Sequence, residues 1–296
     1  MKTAAATLPA SQSRASDFLH LTKPRLNSLV VVTAGLGYYL GTSGQLQLPG
    51  FLHTIVGSGL VAGAAATLNQ VAERDLDESM ARTRQRPLPS GRILPREARI
   101  FAFALAAIGV FELALMTNWL AAAVALVTLV SYVAVYTPLK RRTSWATLVG
   151  AVPGALPPVI GWTAARGALT VEAWVLFGIV FLWQLPHFHA LSCLYRDDFE
   201  RAGLPVLAVI DPTGRLASRQ ALVYTAGLLP VSLAPFWVGL GGTMYVVGAF
   251  ALGSVFIAMA VRFARTPTTE HARQLFRTSL IYLPLLWGLL VAERVF

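Results

Sequence analysis

Apolar and polar positions divide this chain into long blocks rather than alternating strand by strand. Nine mostly apolar stretches stand out: 27–42, 52–72, 99–117, 119–137, 145–164, 172–192, 219–239, 242–262 and 275–294. Each approaches the length of about 20 residues that carries a helix across a bilayer. The expected fold class is therefore all-α, a polytopic membrane protein built as a bundle of nine transmembrane helices. Residues 1–296 read as one domain, with 1–22 as a cytoplasmic N-terminal segment. The fifth stretch contains Val152-Pro153-Gly154 and Leu156-Pro157-Pro158. Proline inside a span is tolerated where neighbours satisfy the freed carbonyls, so this helix should be bent within a packed bundle. Gly35-Leu36-Gly37 in the first stretch predicts close helix packing.

Composition sharpens the picture. The chain is 55% hydrophobic and 13% charged, against about 25% charged in ordinary soluble domains. That excludes disorder and makes the lipid bilayer the expected solvent. The formal net charge of +10 would suggest nucleic acid in a soluble protein. Here the alternating loops explain it. With helix-end residues assigned to the nearer side, one side holds 22 of the 24 Lys and Arg, and the other holds Arg166 and Arg294. The basic side is then cytoplasmic, the N-terminus inside and the C-terminus outside. No nucleic-acid partner is expected, and the bacterial inner membrane is the expected location. The first 20 residues lack the apolar run of a cleaved signal peptide, so none is expected. The single cysteine, Cys193, excludes an intrachain disulfide and a cysteine-based zinc site.

Half of the acidic residues fall in two clusters on the cytoplasmic side: Glu73, Asp75, Asp77 and Glu78, then Asp197, Asp198 and Glu200. They follow the second and sixth spans, which hints at a duplicated four-helix unit. Asn69, Glu73 and Asp77 are spaced i, i+4, i+8 and so share one helix face. Three oxygen-bearing side chains on one face suit a hard divalent cation such as Mg2+, which accepts phosphate oxygens beside one or two carboxylates. Arg82 and Arg86 follow at the same spacing and can pair with phosphate through forked hydrogen bonds. Pro87 and Pro89 then end the helix. The competing reading, a solvated helix end with locally paired charges, fits poorly with carboxylates at a membrane boundary.

The second cluster adds Arg196 and two histidines, His187 and His189, just inside the bilayer edge. At i, i+2 they do not share a face, so at most one should point into a site. His187 is the functional candidate and His189 the structural one. After the fourth span, Tyr136 and Lys140 can reach the same cavity, while Arg141 and Arg142 read as membrane anchors. Lys23 and Arg25, before the first span, read equally as anchor or phosphate contact. Glu112 is an intramembrane carboxylate whose partner the sequence does not name. No nucleophilic triad, P-loop or dinucleotide fingerprint is present.

Asn69-x3-Glu73-x3-Asp77 with Arg82-Thr83-x2-Arg86-Pro87 resembles the first aspartate-rich motif of the UbiA-type intramembrane prenyltransferases. Tyr195-Arg196-Asp197-Asp198 is similar to their second motif. Thr22-Lys23-Pro24-Arg25, Glu73-Arg74-Asp75-Leu76-Asp77, Tyr136-Thr137-Pro138-Leu139-Lys140-Arg141 and Pro186-His187-Phe188 resemble the heme branch, the protoheme IX farnesyltransferases or heme O synthases. Members outside that branch often carry Asn-Asp where this chain has Asn69-Gln70, which leaves the number of Mg2+ ions open. The resemblance implies transfer of a farnesyl group from farnesyl diphosphate to a vinyl group of heme B. It implies Mg2+ held by Glu73, Asp77 and Asp198 with Asn69 supporting, diphosphate contacts from Arg82, Arg86, Lys140, Arg196 and Tyr136, and a heme contact from His187. As partners it admits a homo-oligomer or a complex with heme A synthase. The alternatives are a quinone-pathway enzyme that prenylates an aromatic acid, and a secondary transporter of an organic phosphate or metal. A transporter should place its key charges near the midplane, whereas both acidic clusters lie at one face.

The topology is open to a direct test. In a Cys193→Ser background, single cysteines at Ser43 or Thr117 should be labelled by an impermeant reagent from outside, and cysteines at Ser90 or Thr213 should not. Labelling at Ser90 from outside would overturn the orientation.

Overall fold

The computed structural model describes residues 13–81 and 83–295, and no strand occurs among them. A short helix α1 (Arg14–Leu21) leads into α2 (Pro24–Gly41), α3 (Leu48–Ala72) and the six-residue α4 (Arg74–Ser79). After an arch come α5 (Pro95–Met116) and α6 (Trp119–Val130), the latter continuing through a π-helical segment, Ser131–Tyr136, into α7 (Thr137–Leu139). Then follow α8 (Ala146–Ala155), α9 (Pro157–Arg166), α10 (Val171–Leu194), the short α11 (Arg196–Arg201) and α12 (Leu207–Ile210). The chain closes with α13 (Arg215–Trp237), α14 (Thr243–Arg265) and α15 (Thr269–Val295).

All nine apolar stretches are helical. Seven of the segments are long and apolar enough to cross a membrane. The two that fall short are α2, which opens on Pro24-Arg25, and α13, which carries Arg215, Arg219, Pro230 and Pro235. The all-α polytopic class stands, with seven spans meeting the measure outright. The fifth stretch is bent as its prolines predict: the helix breaks at Leu156 into α8 and α9. Gln184 on α10 donates to the Ala151 carbonyl at 2.8 Å beside the break, the kind of side-chain support that lets irregular backbone persist in a span.

Packing runs in two groups. In the first, α3 lies along α5 and α2 lies along α9. In the second, α10 packs on α13 and α15, and α14 bridges those two. Contacts of α8 and α9 with α10 join the groups. At the end of the bundle opposite Lys23, Arg294 on α15 donates to the carbonyls of Leu40 and Thr42. A cation at the C-terminus of α2 is favoured by the helix dipole, and here it also closes the bundle. Glu112 finds its partner in His53 on α3, with Nδ1 and Oε1 2.7 Å apart.

Two crossings depend on glycine. A Cβ on Gly161 would collide with the Ala34 carbonyl, and one on Gly37 with the Pro158 carbonyl. The backbones of α2 and α9 therefore touch, as the Gly35-Leu36-Gly37 pattern predicted at its second glycine. Gly57 and Gly109 do the same for α3 and α5. In lipid, where no hydrophobic force drives helices together, such close backbone approach supplies the packing energy.

Gly161→Ala should therefore lower the thermal midpoint in detergent, by an overpacking cost of about 1–3 kcal/mol. Gly288 meets nothing within 4 Å, so Gly288→Ala should be neutral or stabilising by up to about 1 kcal/mol. Equal responses of the two variants would refute the account of the crossing.

Candidate active site

The first acidic cluster sits where α3 ends. Glu73 leaves helical geometry, at φ −103 and ψ 13, and α4 begins beside it. The hydrogen-bond ladder nevertheless continues across the break, from Glu73 N to Asn69 O at 2.9 Å and from Asp77 N to Glu73 O at 2.8 Å. Asn69, Glu73 and Asp77 therefore keep a common face, and all three are buried, with Glu73 4% and Asp77 1% exposed.

Each buried carboxylate has its own cation. Lys140 Nζ lies 3.1 and 3.2 Å from the two oxygens of Glu73. Arg86 Nη1 lies 2.8 Å from both oxygens of Asp77. Thr83 donates to the Asp77 carbonyl at 2.8 Å, which fixes the start of the arch that carries Arg86. Asn69 accepts from Lys23 Nζ at 3.3 Å and donates to Thr137 Oγ1 at 3.2 Å. Lys23 thus belongs to the site rather than to a membrane anchor. It is the one non-glycine among the described residues with positive φ, at 48°. That conformation costs roughly 1–2 kcal/mol, and it turns the side chain toward Asn69. Burial and the neighbouring Arg86 pull the Lys23 ammonium down to about 8, against the opposing pull of Glu73 and Asp77.

Thr137 and Lys140 reach this place because of the π-helical segment. A wide turn shifts the register of the side chains that follow, and such bulges recur at functional sites. Thr137 bonds back to the Tyr132 carbonyl at 2.9 Å. Tyr132 and Tyr136 present their rings together, 5.3 Å apart, and Gly150 makes room for Tyr136. Arg141, expected to be only an anchor, donates to the Ala72 carbonyl at 2.7 Å and fastens the 137–142 turn to the end of α3. Gln70 is turned away from the carboxylates and donates to the Leu21 carbonyl at 2.6 Å. It tethers α1 and is no metal-ligand candidate.

Other expected site residues are placed differently. Arg82 lies outside the described residues. Asp198 pairs with Arg201 on its own short helix, and Arg196 faces the Pro212 carbonyl and Glu200. No group of three His, Cys, Asp or Glu side chains converges as a metal site among the described residues. The first cluster and Asp198 are thus not assembled into one carboxylate set. What remains is two buried carboxylates with an amide oxygen, a hard donor set that fits Mg2+ shared with phosphate oxygens.

His187 is half-buried between Trp183 and Phe276, with ring centres 5.3 and 4.7 Å away. Its Nδ1 lies 2.8 Å from Ser279 Oγ, and that hydroxyl donates its proton to the Phe276 carbonyl at 2.6 Å. With the serine proton on that carbonyl, the matching tautomer is Nδ1–H donating to Oγ, which would leave Nε2 with a lone pair. His189 is buried and stacked on Tyr224, and its Nε2 has no partner. It borders a separate cavity of about 170 Å³ with Ser144, Thr147 and Gln220. A groove of about 820 Å³ between α1, α3 and α5 is walled by apolar side chains and approaches the cation cluster only through Thr22.

The UbiA prenyltransferase family profile matches residues 29–290. A protoheme IX farnesyltransferase of Solibacter usitatus is 46% identical over 287 residues, covering 94% of this chain and 98% of that relative. One from Myxococcus xanthus is 45% identical over 283 residues, covering 95% of each. Among solved structures, a digeranylgeranylglyceryl phosphate synthase superposes with a TM-score of 0.81 at 16% identity, over 94% of this chain and 98% of that one. A UbiA homolog from Archaeoglobus fulgidus bound to GPP and Mg2+ superposes with a TM-score of 0.64 at 15% identity, over 93% of this chain and 99% of that one.

The geometry makes a stability prediction of its own. Removing one partner of a buried pair strands the other charge, at a cost of about 3–5 kcal/mol. Arg86 is 25% exposed at its side chain, so Arg86→Ala should sit at about 3 kcal/mol, the low end of that range. Arg86→Ala combined with Asp77→Asn should recover part of the loss in detergent unfolding. A double variant no more stable than Arg86→Ala would show that the pair is not the source of the effect.

Proposed function

The chain belongs to the UbiA prenyltransferase family, and from that premise we propose that it transfers the farnesyl group of farnesyl diphosphate to a vinyl group of heme B, giving heme O. The observation that carries the reading is the cluster at the end of α3. Lys23, Arg86 and Lys140 surround Glu73 and Asp77, so the described cluster has an excess of one positive charge. A cluster of that sign suits a diphosphate whose negative charge exceeds that of its Mg2+ counter-ion.

Mg2+ held by Glu73 and Asp77, with Asn69 supporting, would neutralise the diphosphate and make it a leaving group. On binding, Lys140 and Arg86 turn from carboxylate to phosphate oxygens and stabilise the departing charge. Lys23 and, from the sequence, Arg82 add to that cradle. Asp198 and Arg196 join from the second cluster. The exposed pairing of Asp198 with Arg201 is worth about 0.2–1 kcal/mol and is easily exchanged for a metal-phosphate partner. Loss of diphosphate leaves an allylic cation, which must be kept from water. The rings of Tyr132 and Tyr136 flank the position and shield it, and Tyr136 is the one we place beside the diphosphate. The vinyl group attacks the cation. Water then supplies a hydroxide to the resulting benzylic-type cation and releases a proton.

His187 has the right protonation state for the acceptor side. A ring whose Nδ1–H is held by Ser279 offers Nε2 as a proton acceptor or as a ligand to heme iron, the usual arrangement of ligating histidines. The protein is multi-pass. We place it in the inner membrane with the acidic clusters and the N-terminus facing the cytoplasm, as one domain over residues 1–296.

The test uses purified protein in detergent with Mg2+, farnesyl diphosphate and either heme B or 4-hydroxybenzoate, with products identified by mass. Farnesylated heme is expected. Asp77→Asn should lower turnover by at least about 10²-fold. His187→Ala should abolish the Soret shift on heme binding while farnesyl diphosphate affinity holds. Prenylation of 4-hydroxybenzoate alone would move the assignment to the quinone branch.

A further inference from the structure

Arg92 takes no part in the carboxylate cluster, yet it makes more bonds than any cation that does. Its Nε donates to the two oxygens of Asp17 at 3.0 and 3.1 Å. Its Nη1 donates to Ser90 Oγ at 2.8 Å, and its Nη2 to the Gln85 carbonyl at 3.1 Å. Asp17 is buried in the first turn of α1. One guanidinium therefore ties α1 directly to the arch, beside the apolar contacts that the two segments share.

Each of those segments delivers a cation. Helix α1 ends at Leu21, two residues before Lys23. Gln85 and Ser90 bracket Arg86 in the arch, and Ser90 Oγ donates onward to the Arg86 carbonyl at 2.7 Å. Ile93 N closes the arch on the Pro87 carbonyl at 3.2 Å. Beneath the guanidinium lies a small apolar core of Leu21, Leu88, Ile93 and Ala98, separate from the main one, with Phe18 and Val71 against it. The unit formed by α1, the arch and the start of α5 is thus a cap in which Arg92–Asp17 ties α1 to the arch and Arg14–Glu97 ties α1 to α5. Lys23 and Arg86 repel each other across the site, and the cap adds a constraint on their separation to the contacts that Asn69 and Asp77 make with them.

We propose that Asp17 and Arg92 are positioning residues for the diphosphate site: their ion pair sets the distance between Lys23 and Arg86. The inference rests on the diphosphate reading given above. A carboxylate and a guanidinium in this geometry, partly out of water, hold their segments more stiffly than an exposed pair does. Misplacing Arg86 or Lys23 by a fraction of an ångström weakens phosphate binding and also the stabilisation of the departing charge.

A double-mutant cycle on Asp17→Ala and Arg92→Ala tests this. The readouts are the affinity of the detergent-solubilised protein for inorganic diphosphate with Mg2+, the KM and kcat for farnesyl diphosphate, and the thermal midpoint. Each single variant should weaken diphosphate binding by about tenfold and lower kcat/KM by about 10- to 100-fold. The double variant should lose no more than either single one, because the pair acts as a unit. Asp17→Glu, which keeps the carboxylate, should recover most of the affinity. A lowered thermal midpoint with unchanged diphosphate affinity would make the pair a structural brace alone and overturn the proposal. Losses that multiply in the double variant would overturn it as well. Failure of the unaltered protein to bind diphosphate would instead strike the proposed function itself, on which the inference stands.

Discussion

Glu73 and Asp77 are buried with Lys140 and Arg86 lying against them, and much of this end of the bundle is built to keep those cations there. A carboxylate removed from water without a partner costs several kcal/mol. The partners come from distant parts of the chain: Lys140 follows α7, and Arg86 sits on the arch after α4. Lys23, before α2, adds a cation that the two carboxylates do not need for neutrality. That surplus separates an anion-binding site from a structural salt-bridge network, which would balance its charges and exclude further ones.

Departures from ideal backbone occur where the cluster needs them. The break at Glu73 lets α4 turn while Asp77 keeps its bond to Glu73. The π-helical segment brings Thr137 and Lys140 round to α3. The left-handed Lys23 turns its side chain to Asn69 at the start of α2. Each has a local cost, and each is held by rigid packing behind it. The glycine crossings of α2 on α9 and α3 on α5 press the backbones together. Helices α2 and α3, beside the left-handed Lys23 and the break at Glu73, therefore have little freedom to relax.

The spans, the bend at Leu156 and the shared face of Asn69, Glu73 and Asp77 were legible in the sequence because they follow from periodicity and proline. Those signals are local, and the structure preserves them even across the break in α3. Contacts between helices were not legible. Nothing in the spacing shows that Glu112 meets His53, that Arg141 reaches Ala72, or that Lys23 belongs with Asn69. The two histidines illustrate the boundary. Periodicity said correctly that they face different ways, as the contact of His187 with α15 and of His189 with α13 shows. Only the structure shows that the His187 nitrogen engaged by Ser279 is Nδ1.

The two acidic motifs share a local backbone plan and differ in the side chains placed on it. Helices α3 and α10 each end in one non-helical residue, Glu73 or Tyr195, and each is followed by a six-residue helix that opens Arg-Asp. Aligned on that opening, Tyr195 stands where Glu73 does and Phe199 where Asp77 does. The second motif therefore has aromatic rings at the two positions that face inward in the first. Its own carboxylates fall at other positions, where Asp197 is exposed and Asp198 pairs with the neighbouring Arg201. One motif is organised in advance by buried, charge-assisted contacts, while the other holds its carboxylate by a pair worth little in water. In the proposed reaction a diphosphate would therefore meet one motif whose carboxylates are already fixed and one whose carboxylate is held only by a weak pair.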